Sequence, residues 1–476
     1  MCLLLTNDSP SLVTLSHLPL LPLVIDYSDK SRAMAQKDEN NVHLGLQQHD
    51  LVRRVVLRAP SPNMYLWLEK MNDLFPRLEE LSLFSTTIEE TNLRLPETLQ
   101  APDLRRLALH GVGLPTRLPL LSSAIALSTL SLTHIGASCY FSPGHLVTEL
   151  QCLPCLEDLS IGFAIPIPLP SSERELLPAP IPAVTLTSLR RLTFWGVDVY
   201  LDNLVAQINA PRLERLGLTF HFDLTFTLVN LAEFIHRAIG FGYLVTRVVF
   251  NRDCASIYAG YYEQRGVEKF SFHVNVNCGP LDWQMDSATQ VCSALRNVLS
   301  TVEVLTLDLD VDGMPSDWDN ALESMLWHEL LLSFVGAKKL YIGFSLTLEL
   351  SQALESVAGG LELLPALQEL EVQLEIDHAK KVFSGFVETR ESVGRPVHLL
   401  VPPILHAELE APGAEPKVFR ADREVPRADP ELHHMHPKGF FRPLASRKQA
   451  IELISICQTF IQGQEQTFRS YDELRR

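Results

Sequence analysis

The sequence predicts a mixed α/β solenoid in which a strand followed by a helix is repeated along the chain. Three observations lead to this prediction. A short strand motif recurs, the segments between its copies have helical periodicity, and no single copy can bury its own apolar face. The motif and its spacing indicate a leucine-rich-repeat-like solenoid, a curved parallel sheet with helices on its convex side. A doubly wound α/β domain also alternates strand and helix, but recurrence of the strand motif itself favours the solenoid.

The strand motif reads Pro-x-Leu-x-x-Leu-x-Leu in its clearest copies. These begin at Pro76, Pro102, Pro154, Pro211 and Pro365. From Val52 to Leu367, the first apolar residues of successive copies lie 22 to 35 residues apart, close to the usual length of a leucine-rich repeat but loosened by insertions. Alternation in Leu-x-Leu places the two leucines on one face of a strand and the residue between them on the other.

Helical periodicity fills the intervals between the strand motifs. The clearest helical segments are residues 143–154, 202–210, 228–240, 287–300 and 321–336. Several of them end at Gly or Pro, as helices commonly do. We therefore assign residues 21–401 to the solenoid and residues 1–20 to a separate N-terminal segment. Residues 402–443 have the composition of a linker rich in Pro and charge, and residues 444–476 that of a helical tail.

Composition limits the classes of function. The 476 residues are 46% hydrophobic and 20% charged, which excludes a mainly disordered chain. The formal net charge is −17, so we expect no nucleic-acid partner. Eight cysteines are too few for a disulfide-stapled scaffold. We find no signal peptide and no apolar run long enough for a membrane helix, so we expect no membrane contact and an intracellular location, in the cytoplasm or the nucleus.

Three motifs could bind a metal, and for each a structural interpretation is favoured. Asp308, Asp310 and Asp312 open a calcium-loop pattern, but position twelve is an Asp, Pro315 interrupts the loop and a strand precedes it. Cys152 and Cys155 have redox or half-zinc spacing without a second pair. The third group is His433, His434 and His436, within the predicted linker. We expect no metal and no cofactor.

The sequence predicts a non-enzymatic protein. It contains no Gly-x-Ser-x-Gly elbow, no Gly-rich phosphate loop and no His-Glu-x-x-His pair. The alternative from another class is an enzyme with an unrecognised active site, which a deep pocket with converging acids and histidines would support.

The remaining candidate for a functional site is the surface formed by the residues between the inward-facing leucines. We predict that this concave face binds a protein partner through charge complementarity and exposed aromatic anchors. Its candidate residues are Arg54, Arg58, Phe84, Arg106, His110, Arg191, Trp195, Arg215, Arg247 and Lys269. We expect the face to change from mixed or basic in the first repeats to acidic in the last, where Asp308, Glu369 and Glu371 lie.

Two further segments carry a family resemblance. Residues Leu18–Lys30 and Gln47–Leu57, together with the recurring strand motif, are similar to mushroom-type fungal F-box proteins. This resemblance covers about residues 18–401. It implies a leucine-rich-repeat-like domain that holds the substrate of an SCF-type ubiquitin ligase, downstream of an F-box that docks onto a Skp-type adaptor. Residues 1–20 do not show the Leu-Pro-x-Glu pattern of an F-box, so no adaptor-binding residue is assigned. The alternative is a scaffold or decoy without a ubiquitin link.

Overall fold

The computed structural model describes residues 3–5, 22–28, 36–87, 93–115, 119–164, 184–221, 228–238, 244–262, 268–278, 281–310, 324–355 and 363–401. The chain divides into two units, Met1–Pro402 and Pro403–Arg476. The predicted linker and tail, which make up the second unit, lie outside the described residues. Within the described part of the chain, no helix is long and apolar enough to cross a membrane.

The first unit is a mixed α/β structure built on a large, mostly parallel sheet. Its strands are β1 (Leu3–Leu5), β2 (Leu23–Ser28), β3 (Val52–Ala59), β4 (Glu80–Ser85), β5 (Arg106–His110), β6 (Thr129–Ile135), β7 (Asp158–Phe163), β8 (Val184–Thr185), β9 (Arg191–Gly196), β10 (Ile208–Asn209), β11 (Arg215–His221), β12 (Val245–Phe250), β13 (Cys254–Tyr262), β14 (Glu268–Asn277), β15 (Val304–Leu309), β16 (Lys339–Ile342), β17 (Glu369–Val372) and β18 (His398–Leu400). Sixteen of them form one open sheet in the order β1-β2-β3-β4-β5-β6-β7-β9-β11-β14-β13-β12-β15-β16-β17-β18, and β8 pairs with β10 separately.

Helices follow most of the strands. They are α1 (Gln36–Gln47), α2 (Ser61–Leu68), α3 (Pro119–Ser123), α4 (Pro143–Leu150), α5 (Asp198–Gln207), α6 (Val229–Ala238), α7 (Leu281–Ala294), α8 (Arg296–Leu299), α9 (Ser324–Leu331), α10 (Thr347–Glu355) and α11 (Ile376–Ser392). The five segments with helical periodicity each contain a helix, α4 to α9, so these predictions are confirmed.

A tight turn before the strand explains the recurring proline. In nine described turns, the backbone N–H of the first motif leucine, or its equivalent, donates to the carbonyl three residues earlier at 3.0–3.3 Å, as Leu78 does to Phe75 and Leu213 to Ala210. The motif proline, such as Pro76, occupies the second position of this turn, where its fixed φ is already suitable. In the five turns that contain it, the proline therefore favours the turn from which the strand begins.

Neighbouring turns are joined by one repeated hydrogen-bond arrangement. The carbonyl just before one strand accepts N–H groups from two consecutive residues of the next motif at 2.8–3.1 Å, as Glu79 does from Arg105 and Arg106. The same arrangement is centred on Arg105, Ser128, Glu157, Arg190, Leu244, Glu303 and Lys338. These eight junctions therefore begin in the same register.

One region departs from the predicted order. The motif spacing predicts adjacent parallel strands for the copies at Val245 and Val267, but β13 lies between β12 and β14 and is antiparallel to both. The cause is the short connection after β12, where Asn251 Oδ1 accepts from the backbone N–H groups of Asp253 and Cys254, both at 2.9 Å. A connection this short can only return antiparallel. Gln284 of α7 fixes the turn by donating to the Asn251 carbonyl at 2.8 Å.

The core lies between the sheet and the helices and runs the length of the unit. Motif leucines such as Leu81, Leu83, Leu192 and Leu216 are almost fully buried in it. Adjacent helices also contact each other, as α4 with α5 and α5 with α6. The α5–α6 contact contains buried Asp202, whose Oδ1 accepts from the Leu231 N–H at 2.9 Å. Burial raises the pKa of Asp202 despite this bond.

Candidate functional site: the open face of the sheet

The candidate site is the face of the sheet opposite the helices, which we call the open face. On β3 to β11 its side chains form three rows that cross the strands. The first, which we call the charged row, consists of residues paired in strand register: Arg54, Glu80, Arg106, Thr129, Asp158, Arg191 and Arg215. Four of the predicted site residues therefore lie in one line.

Neighbouring charges neutralise part of the charged row. Arg54 Nε lies 3.0 Å from Glu80 Oε2, and Arg191 holds both carboxylate oxygens of Asp158. Such bidentate pairs are geometrically specific. Arg106 and Arg215 are exposed and form no ion pair with any other described residue. They are the two guanidinium groups of this row that a partner could neutralise.

A second row, which we call the ring row, lies nearer the carboxyl ends of the strands. It comprises Phe84, His110, His134 and Trp195. The Arg58 guanidinium lies 5.0 Å from the centre of the Phe84 ring, a cation–π contact. The His110 ring is 6.1 Å from Phe84 and 5.1 Å from His134, on which it is stacked. The predicted residues Arg58, Phe84 and His110 thus form one continuous stack with His134.

A backbone irregularity in β6 brings His134 into this row. Its φ of 55° is uncommon for a residue other than glycine. The pairing of β6 with β7 shifts register between Leu132 and Ile135, which inserts one residue. These two buried side chains are three residues apart in the sequence, where regular alternation requires two. The spacing of three between Leu132 and Ile135 is a sequence signal for a bulge. The sequence analysis assumed a regular strand here and did not predict the bulge.

Trp195 lies over a glycine of the neighbouring strand. Gly162 pairs in register with Trp195, and a Cβ at this glycine would lie 3.1 Å from the Trp195 ring. The indole is partly exposed on the open face. The absence of a side chain at Gly162 therefore leaves space for the indole of Trp195, the predicted anchor.

Between the charged row and the ring row lies a row of small side chains, which we call the small row. It runs in register through Ser82, Ala108, Ser131, Ser160, Thr193 and Gly217. The next position in register is His273, whose ring stacks on Tyr258 of β13 at 4.7 Å. Long side chains therefore flank the small row on both sides and close it at one end. Tyr258 was not predicted, because no copy of the strand motif marks β13.

The open face also continues onto the C-terminal strands, where cations offset the acids. Arg247 Nη2 lies 3.0 Å from Asp308 Oδ2, so Asp308 forms an ion pair in β15. Lys339 lies 3.2 Å from Glu369 and 3.1 Å from Glu371. Burial lowers the pKa of Lys339, but hydrogen bonds with Tyr341, Glu371 and Glu369 raise it overall.

The balance of charge still changes along the face. On β3 to β11, Arg54, Arg58, Arg106, Arg191 and Arg215 oppose two carboxylates, Glu80 and Asp158, for a net of +3. From β12 to β17, Arg247 and Lys339 oppose three carboxylates, for a net of −1. These carboxylates are Asp308, Glu369 and Glu371. The side chain of the last predicted residue, Lys269 of β14, lies outside the described residues.

The alternative motifs lie away from this face or outside the described residues. Cys152 and Cys155 are free, exposed thiols in the turn before β7. Asp312 and the three linker histidines lie outside the described residues. Among those described, no three His, Cys, Asp or Glu side chains are placed to hold one metal ion.

A small cavity lies away from the open face. It has a volume of about 100 Å³, and Cys139, His145 and Glu149 are part of its lining. His145 Nε2 is 3.8 Å from Glu149 Oε1. Substrate pockets are usually several hundred Å³, so this cavity gives little support to the enzyme alternative.

The histidine stack predicts a dependence of stability on pH. Burial, followed by His134 and Arg58, lowers the pKa of His110 to about 4, and burial lowers the pKa of His134. The unfolded chain takes up these protons near pH 6.5, so the free energy of unfolding should fall as the pH falls from 6.5 towards 4. We expect His110→Phe, which keeps a ring beside Phe84, to reduce this slope by up to about 1 kcal/mol per pH unit.

The measurement is urea unfolding of both proteins at pH 7.5, 5.5 and 4.5. Comparing the slopes cancels the carboxylates that titrate in the same range. Equal slopes would show that His110 is protonated as readily in the folded chain as in the unfolded one.

Comparison with known proteins adds no further assignment. Neither any protein-family model nor any curated protein matches this sequence.

Proposed function

We propose that residues 21–401 form a leucine-rich-repeat-like solenoid that binds a protein partner through its open face, without enzymatic activity. The repeated turn and the two-donor junction support the solenoid, because the same bonds recur at eight junctions between neighbouring parallel strands. Strand order also follows chain order from β2 to β11, apart from the β8–β10 pair, and from β15 to β18. The insertion of β13 interrupts this order without changing the face on which the polar side chains lie.

One observation carries the partner-binding role. Within the part of the chain that the structure describes, the helices lie on the other face of the sheet, and the open face displays Phe84 and Trp195, both partly exposed, beside exposed arginines. Aromatic and arginine side chains are enriched among the residues that dominate binding energy at protein interfaces. The formal net charge of the whole chain, −17, opposes a nucleic-acid role.

The biological role that we propose resembles that of the substrate-recognition domain of an SCF-type ubiquitin ligase subunit. This part of the proposal rests on the resemblance of residues 18–401 to mushroom-type F-box proteins. A scaffold or decoy would use the same face without a ubiquitin link, so the two roles differ in their other partners and not in this surface.

The test is affinity purification of the tagged full chain from fungal lysate, with mass spectrometry. The variant Phe84→Ala/Trp195→Ala removes both anchors, and Tyr65→Ala removes a more exposed aromatic ring on α2, where Tyr65 is 56% exposed. We expect partners retained by the wild type and by Tyr65→Ala to be reduced at least tenfold with the double variant, while its melting temperature stays near that of the wild type. Identical protein sets from all three would contradict the proposal.

The same experiment separates the two biological roles. Co-purification of a Skp-type adaptor and a cullin would support the ligase role. A partner that depends on the two rings, without adaptor or cullin, would support the scaffold or decoy.

A further inference from the structure

We propose that the open face of β4 to β11 binds an extended, acidic segment of its protein partner, lying lengthwise along the small row. This inference rests on the proposed partner-binding role of the open face and names the chemistry of the segment that it takes. It is carried by the geometry of the three rows together with the two arginines that lack an ion-pair partner among the described residues.

The first step is the shape. The small row crosses six strands, β4, β5, β6, β7, β9 and β11, which at about 4.8 Å per strand gives a length of about 24 Å. From Ala108 to Gly217 its residues are partly exposed. The charged row flanks it on one side, the ring row on the other, and the Tyr258–His273 stack closes one end. On β4, β5 and β9 the two flanking rows are four residues apart, as Arg106 and His110 are on β5, or about 13 Å. A single extended chain of this length fits between them with its side chains directed to either row.

The second step is charge. Glu80 and Asp158 are already engaged by Arg54 and Arg191, so they add little repulsion towards an acidic ligand. Arg106 and Arg215 are exposed and have no ion pair with described residues. A ligand that forms an ion pair with each of these arginines needs two carboxylates, so the bound segment is acidic.

The third step is spacing. Arg106 and Arg215 lie in the same row on β5 and β11, four strand spacings apart, or about 19 Å. An extended peptide advances about 3.3 Å per residue and alternates its side chains between two sides. Residues i and i+6 are therefore about 20 Å apart and point to the same side. Carboxylates with this spacing reach both arginines, while the residues at i+1, i+3 and i+5 face the ring row.

The test compares two labelled peptides of identical composition on the full chain. Glu-Leu-Ser-Trp-Ser-Leu-Glu has its carboxylates at i and i+6, and Glu-Leu-Ser-Trp-Ser-Glu-Leu has them at i and i+5, on opposite sides. We expect the first to bind at least fivefold more tightly by fluorescence anisotropy in 50 mM NaCl, and this preference to shrink as salt screens the charges. Arg106→Gln, which avoids a second carboxylate beside Glu80, and Arg215→Glu should each weaken the first peptide about fivefold or more.

Arg296→Glu provides the matched control, because Arg296 is an exposed arginine on α8, away from the open face. It should leave both affinities unchanged. Thermal melting of all three variants establishes that they are folded.

Equal affinity of the two peptides, or equal weakening by Arg296→Glu, would overturn the proposal. So would tighter binding of a labelled ten-nucleotide uridine oligonucleotide that displaces the peptide, since the face would then select a phosphate backbone. If the peptides fail but partner capture still depends on Phe84 and Trp195, the extended acidic segment is wrong and the partner-binding role stands. If both fail, the role itself is wrong.

Discussion

Replacing Leu192 by Asp is expected to unfold the sheet. Leu192 is the second residue of β9, is 1% exposed, and belongs to the continuous core between sheet and helices. An unpaired carboxylate there would lose its hydration without gaining a partner, and the lost leucine contacts add a cavity cost. We expect a loss of about 4 kcal/mol or more, which is a large fraction of the stability of an ordinary domain.

The neighbouring residue provides the control. Thr193 follows Leu192 in the same strand but points to the open face, where it is partly exposed. Thr193→Asp introduces the same charge into the same strand and should change the free energy of unfolding by less than about 1 kcal/mol. The measurement is the urea midpoint, with solubility as a first indication. A soluble Leu192→Asp protein that melts cooperatively near the wild-type temperature would refute the assignment of inward and outward positions.

The inward and outward positions are the part of the fold that the sequence specifies most directly. In the copies at Pro76, Pro102, Pro154 and Pro211, apolar residues at fixed offsets are buried, and the residues between them reach the open face. Local alternation determines this arrangement, because successive side chains of a strand point to opposite faces. The predicted row of Arg54, Arg106, Arg191 and Arg215 followed from this offset alone.

Pairing between strands could not be predicted in the same way. The order around β12 to β14 depends on a short local turn at Asn251 and on the Gln284 side chain, 33 residues further along the chain, that holds it. Ion pairs pose the same difficulty. Arg191 and Arg215 occupy equivalent positions in their motifs, yet only Arg191 meets a carboxylate in the neighbouring strand. A free binding group and a structural one are therefore indistinguishable until the register is known.

This difference changes which arginines are suitable for testing the face. Charge reversal of Arg191 or Arg247 would place two carboxylates together, with Asp158 or Asp308, and disturb the sheet as well as the surface. Arg106 has no ion pair with a described residue, but it lies in register with Glu80, so the neutral change Arg106→Gln avoids placing two carboxylates together. Arg215 lies in register with Arg191 on β9, so its reversal creates no such pair there. A loss of binding with Arg106→Gln or Arg215→Glu can therefore be attributed to the partner and not to the sheet.

A second large effect is expected where two consecutive turns touch. Gly336 is the third residue of the turn from Phe334 to Ala337, and a Cβ added there would lie 2.1 Å from the Ser300 carbonyl oxygen and 3.3 Å from that of Val302. Both contacts are to backbone, which cannot rotate away as a side chain can. We therefore expect Gly336→Ala to push the turns before β15 and β16 apart and to destabilise the protein by about 2–3 kcal/mol.

Gly136→Ala is the matched control, because a Cβ at Gly136 would meet no atom within 4 Å and its φ of −72° suits any residue. This change should be neutral or stabilise by up to about 1 kcal/mol, through loss of freedom in the unfolded chain. Urea midpoints of the two variants give the comparison, and hydrogen exchange at β15 and β16 should locate the effect of Gly336→Ala. Other copies carry a side chain at the position of Gly336, such as Arg77 and Arg212. If Gly336→Ala leaves the free energy of unfolding unchanged, these two turns are spaced like the turns of the other copies. The close approach of Gly336 to the Ser300 carbonyl would then not be a requirement for packing of the C-terminal strands.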